Sequence, residues 1–320
     1  MTNYIVRRLL AIIPMLIGIS ILLFVLMNMA PGGPEMVIIG DLERYSPSLV
    51  AHIREQFALD QPIHIRYLRW LGNAARGDFG VSTTQAGGVP VMQMIGNRFG
   101  ATLQLTGGAL LLAVIVGVPL GIISAVHRYK LVDQVATVTA FVGICFPGFW
   151  LGIMLILLFS VTLGWTPISG LAPSGMRDVL SARLHYAILP TITLAAVQVG
   201  RYTRFTRSSI LEVLQTDYIR TARAKGLSER VVLFKHALRN GLISVVTIIG
   251  LSLPFLVSGS VMIEMVFAWP GLGRLAVMSI QRRDYAVVMG IQMVIAVAVL
   301  MANLIVDLVY AMIDPRISYS

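Results

Sequence analysis

Six long apolar runs separated by charged stretches set the rhythm of this chain. The first covers residues 9–29, about the length needed to cross the hydrocarbon core of a bilayer. Others follow at about 101–126, 135–163, 187–207, 242–263 and 287–313, so the pattern predicts an all-α membrane protein of six spans. Pro119, Pro147 and Pro254 fall within these runs and should kink or break their helices. In the fourth run the clean apolar part ends by Gly200, and Arg201, Arg204 and Arg207 must reach headgroups or protein.

Between the first two runs lie the polar residues 31–98, which alternation places outside the membrane. Two amphipathic helices are predicted there. Ser46 caps one that runs from Pro47 to about Ala58, and the other begins near Pro62 and stops at Gly77. In the second, Ile63, Tyr67, Leu68 and Leu71 share a face. The loop is either a lid on the span ends or a landing surface for a soluble delivery protein, and the two roles are compatible. The domains drawn from this pattern are residues 1–30, 31–98 and 99–320.

Composition agrees with the pattern. Of 320 residues 57% are hydrophobic and 12% charged, whereas soluble domains carry about a quarter charged residues. A net charge of +10 would suggest nucleic acid in a soluble chain; here it reflects loops that face the cytoplasm. Arg7 and Arg8 before the first run place the N-terminus inside. A signal peptide is the rival reading, but the apolar core is too long and the following PGGP is a poor cleavage site. With the long outer loop set aside, inside segments hold 14 basic residues against 5 outside, so both termini are expected in the cytoplasm. The single Cys145 forms no intrachain disulfide.

One stretch stands apart. Residues 216–241 carry Arg220, Arg223, Lys225, Arg230, Lys235 and Arg239 against only Asp217 and Glu229. Thr216 or Asp217 can cap a first short helix, Gly226 can end it in the left-handed conformation, and Ser228 can cap a second. A basic hairpin in an apolar protein is a candidate docking surface for a soluble partner.

Catalytic chemistry is sparse. There is no G-x-x-x-x-G-K-[ST] phosphate loop, no H-E-x-x-H zinc motif and no G-x-S-x-G elbow. His185 and His236 lie at span ends or in loops, where a structural role is the expectation. Asn303 and Asp307 share a face of the last span, as translocation-path residues or as a structural anchor. Glu264, just beyond the fifth span, can meet substrate or pair with Arg274.

These motifs together resemble the permeases of ABC importers in the dipeptide, oligopeptide and nickel branch. Asp217 to Gly226 and His236 to Asn240 resemble the branch's D-Y-x-R-T-A-R-A-K-G and H-x-L-R-N segments. Arg220-Thr221-Ala222 stands where the general coupling-loop pattern has E-A-A, a departure from that wider pattern. Tyr4 to Leu10, Leu59 to Pro62, Gly77 to Gly80, Ala101 to Leu103, Phe146 to Gly152, Phe267 to Gly273 and Asp314 to Arg316 resemble further family motifs in the family's order.

The resemblance implies a type I importer permease fold in a prokaryotic inner membrane. It implies a second permease subunit, two ATP-binding subunits that hold ATP and Mg, and an extracytoplasmic solute-binding protein. No cofactor would be bound by this chain. A coupling loop at residues 208–241 would engage an ATPase through Asp217, Tyr218, Arg220, Thr221, Ala222, Arg223, Lys225, Gly226, His236 and Arg239. Peptides suit the branch best, with nickel chelates and glutathione-like ligands as alternatives. Readings from other classes are a membrane-embedded enzyme using Asp307 or Glu264 and a self-contained channel or ion-coupled carrier. A carrier would place more polar groups at mid-membrane than this chain offers.

Overall fold

A computed structural model describes residues 2–29, 61–84, 88–173, 175–176 and 179–313. Five helices among them are long and apolar enough to cross a bilayer, or six spans where a pair bent by 102° counts as one. The first is α1, Thr2–Met29. The helix expected from Pro47 to about Ala58 lies outside the described residues, as does the Asp314-Pro315-Arg316 tail.

The second outer helix forms as α2, Ile63–Ala74, with Pro62 at its N-cap and Gly77 beyond it at φ 81°. Its packed face differs from the expected one. Ile63 and Leu68 are exposed, while Tyr67 and Trp70 lie against Phe24 of α1 at ring distances of 5.4 and 6.1 Å. The Tyr67 hydroxyl also shares a 2.8 Å hydrogen bond with Ser20. The aromatics win this face because each buries a large ring and Tyr67 can satisfy its hydroxyl there.

The second run extends ten residues ahead of its expected start as α3, Val91–Val126, and passes through Pro119 as one helix. Pro147 does break the third run. It becomes α4, Leu131–Cys145, and α5, Gly148–Leu155, which continues as a π-helical turn, Ile156–Thr162; the two halves are bent by 102°. Phe146 is extended at φ -88°, ψ 136°, the conformation that a following proline favours.

The fourth span, α6, runs Leu180–Leu214. Its 35 residues reach roughly 50 Å, well beyond a hydrocarbon core of roughly 30 Å. Short α7, Asp217–Ala224, and α8, Glu229–Val231, follow. A π-helical turn, Val232–Ala237, leads into α9, Leu238–Gly250. Pro254 sits in the first turn of α10, Leu253–Ser258, where its missing N–H costs nothing. The chain closes with α11 (Val261–Val266), α12 (Leu272–Gln281) and α13 (Tyr285–Ile313).

The chain groups into two compact units, residues 1–100 with 271–320 and residues 101–270. In the first unit α13 packs along α1 and α12, and Val91, Ile95, Leu272, Leu275, Val287 and Ile291 form a core. Asp284, almost wholly buried before α13, accepts hydrogen bonds from Ser82 (2.5 Å) and Thr84 (2.9 Å), which tie the outer loop down. These packing partners are distant in sequence.

In the second unit α6 is the hub, packing against α4, α5, α9 and α11. Small residues let the backbones approach closely. A Cβ on Gly121 of α3 would stand 2.6 Å from the Thr203 carbonyl oxygen of α6, so only glycine fits there. Thr203 in turn donates to the Gly117 carbonyl at 3.2 Å. The Trp269 indole is fully buried and donates to the Ala101 carbonyl at 2.8 Å. Gly152 faces the Phe267 ring, so the motifs at Phe146–Gly152 and Phe267–Trp269 meet across the unit.

Candidate functional site

The basic hairpin folds with its charges outward. Ile219 and Ala222 of α7 are buried with Val232 and Ala237, and Val213, Leu214 and Leu233 pack against them. This small core fixes which side of α7 faces away. Arg220, Thr221, Arg223 and Lys225 are exposed, as are Arg230, Lys235 and Arg239; His236 is half-buried.

Gly226 adopts φ 76° and ends α7 as expected. Its N–H bonds to the Arg223 carbonyl at 2.9 Å, and the Leu227 N–H reaches back to Ala222 at 3.4 Å. That pair of bonds is the Schellman closure, which satisfies carbonyls left open at a helix end. The expected side-chain caps are not made. Thr216 and Ser228 stand at the two N-cap positions with extended backbones, but the Thr216 hydroxyl donates to the Val213 carbonyl at 2.6 Å instead.

Across the turn, the Arg223 guanidinium makes two bonds to Glu229, at 2.8 and 3.2 Å, clamping α7 to α8. Asn240 donates to the Tyr218 hydroxyl at 2.9 Å and ties α7 to α9. Arg220 approaches Asp217 only at 3.5 Å, in open solvent. The expected contact set is therefore divided: Ala222 is core, Tyr218 and Arg223 brace the hairpin, and Arg220, Lys225 and Arg239 face outward.

The three arginines of α6 have different fates. Arg207 makes a bidentate pair with Asp133 of α4, at 2.7 and 2.9 Å. Asp133 is buried and also accepts from Ser124 at 2.5 Å and from the Tyr129 N–H at 2.9 Å, so the α3–α4 turn is pinned to α6. Arg204 lies over the Phe141 ring at 5.0 Å. Arg201 is exposed and lines two cavities of about 400 and 450 Å³.

Of the other polar residues singled out in the sequence, Asp307 forms an ion pair with Arg8 of α1 at 2.8 Å, and Asn303 is exposed on the same helix. Glu264 is fully buried and accepts a 2.9 Å hydrogen bond from Thr102. The structure thus places Asp307 and Glu264 in bonds between helices.

Sequence reasoning passed over Gln198. It lies three residues before Arg201 on α6, is 7% exposed, and lines the first of the two cavities. An amide inside an apolar run was the available signal, since a buried polar group needs a partner.

Comparisons with known proteins agree over the whole length. Residues 117–319 match the family model described as "Binding-protein-dependent transport system inner membrane component", and residues 1–106 match its N-terminal companion. The chain is 45% identical to the oligopeptide transport system permease protein AppB of Bacillus subtilis (strain 168), with all of both chains covered. It is 43% identical to the glutathione transport system permease protein GsiC of Escherichia coli (strain K12), again over all of both chains. Among solved structures, the inward-facing MetNI methionine ABC transporter aligns with TM-score 0.55 at 19% identity, covering 70% of this chain and 97% of that one. An amino acid ABC transporter crystallised with histidines aligns with TM-score 0.52 at 16% identity, covering 68% and 92%. These likenesses show the fold.

Proposed function

Because the chain belongs to the family of binding-protein-dependent transport system inner membrane components, we propose that it is the permease for di- or oligopeptides and that its basic hairpin receives the stroke of a partner ATPase. The protein is a multi-pass inner-membrane subunit of an ABC importer. It is not itself an enzyme: ATP is used by partner subunits, and this family binds no cofactor. The peptide reading rests on full-length identity to an oligopeptide permease. Glutathione is the second reading, favoured by the similar identity to GsiC; it is itself a tripeptide, so the two share a chemistry. The partners in this reading are a second permease subunit, two ATPases and an extracytoplasmic binding protein.

One geometric observation supports the coupling role: the hairpin is braced at both ends while its outer cations stay free of the fold. Arg223–Glu229 and Tyr218–Asn240 make it stiff. It continues into α6 on one side and into α9 on the other, so a push on α7 becomes a displacement of two spans. Here the hairpin lies on the cytoplasmic side, with both termini.

Gly226→Val tests this. No atom crowds that position, but a β-branched residue at φ 76° is strained, so α7 would leave its angle. In proteoliposomes holding the complete importer, ATP hydrolysis should persist while peptide uptake falls about tenfold or more, with subunits still co-purifying. Wild-type uptake by the assembled variant would overturn the coupling role.

A further inference from the structure

We propose that Arg201 and Gln198 form a carboxylate station inside the second unit, where the C-terminal end of a peptide rests during transport. The inference rests on the peptide reading above and names the part of the solute that this chain recognises.

The two residues are three apart on α6, so they share a face, and both line the cavity of about 400 Å³. That volume is within the range of small-molecule sites. Gln198 is more than nine-tenths buried, and its Oε1 has no hydrogen-bond partner and is closed off even from water, so the amide must turn to present that oxygen to the cavity. Arg201 makes no hydrogen bond or ion pair among the described residues, unlike Arg207 on the same helix. Of the three hydroxyls on the wall, Ser260 has no side-chain hydrogen bond among the described residues, and the other two are spent. Ser252 accepts from Tyr202 at 2.8 Å and donates to the Ile248 carbonyl at 3.0 Å, and Thr193 donates to the Leu189 carbonyl at 2.7 Å.

A guanidinium within a span must face water or an anion, because lipid gives it neither. A buried amide oxygen without a donor costs free energy until one arrives. A peptide C-terminus supplies both complements. Its carboxylate takes a forked pair of bonds from Arg201, and the last peptide N–H donates to the Gln198 oxygen once the amide has turned to face the cavity. The rest of the wall is apolar, with Phe149, Leu194, Leu251 and Phe255, and accepts a side chain without reading it. Such a site holds many peptides and selects for a free terminus.

The test uses the assembled importer in neutral phosphatidylcholine nanodiscs, without the binding protein, titrated calorimetrically with trialanine and with trialanine amide. Wild type should bind the free acid at least tenfold more tightly than the amide. Arg201→Gln should lose that preference, Arg201→Lys should keep part of it, and Gln198→Leu should weaken both probes severalfold. Equal preference in wild type and Arg201→Gln overturns the station, as does failure of wild type to bind either probe. A defect of Arg201→Gln seen only when phosphatidylglycerol is added also overturns it, because the guanidinium would then serve a lipid phosphate. Peptide uptake by the wild type with its binding protein is measured separately. Its absence would refute the peptide reading, whereas intact uptake with no acid-to-amide preference in the titration would refute the station alone.

Discussion

The arginines of α6 and those of the hairpin come from one stretch of sequence, residues 201–239, and look alike there. The fold uses them in opposite ways. On the hairpin, the small apolar core of Ile219, Ala222, Val232 and Ala237 turns Arg220, Lys225 and Arg239 outward, where they cost nothing to solvate. On α6 each guanidinium must be accounted for. Arg207 has a buried carboxylate, Arg204 an aromatic face beside a cavity that it shares with Arg201, and Arg201 a second cavity as well. Charge in the hairpin is a surface property open to a partner, while charge on α6 is either structural or meets a solute.

The largest effect should come from breaking the buried pair. Asp133→Ala strands Arg207 against α4 and removes bonds from Ser124 and Tyr129. A loss of about 3–5 kcal/mol is expected, read as a lowered unfolding midpoint of the purified subunit in detergent. A loss under about 1 kcal/mol would show that water replaces the carboxylate, as at a surface pair.

Reversing outward charges in the hairpin should leave stability alone and weaken assembly instead. Arg220→Glu with Lys225→Glu is expected to lower ATPase co-purification severalfold at low salt, with a smaller difference at high salt because exposed charges are screened. Unchanged, salt-independent assembly would mean that these cations do not face the partner.

The smallest change belongs to an intermediate case. Asp307 pairs with Arg8 from a partly exposed position, with 28% of its side chain accessible. Asp307→Asn should therefore cost no more than about 1 kcal/mol and leave uptake per assembled complex unchanged. Loss of transport in a stable, assembled variant would move Asp307 to the translocation path.

Much of this protein can be read along the chain. A span needs about twenty apolar residues wherever it packs, so the apolar runs announce five helical crossings and, in the bent pair, a sixth candidate. A left-handed turn wants glycine, so Gly226 marks the bend of the hairpin before any coordinates exist. The break at Pro147 is equally local, because a ring on nitrogen constrains its own residue and the one before.

What stayed hidden depends on partners remote in sequence. Nothing near Arg207 announces Asp133, 74 residues away, and nothing near Trp70 announces Phe24. Thr216 and Ser228 illustrate the same limit at short range: the cap positions were legible, but where a hydroxyl points depends on the neighbouring carbonyls that compete for it. Local backbone preference and bilayer thickness set the helices, their number and the hairpin's turn. Tertiary packing alone decided which arginine is bound, which is free and which opens on a cavity, because the energy of a charge depends on what surrounds it.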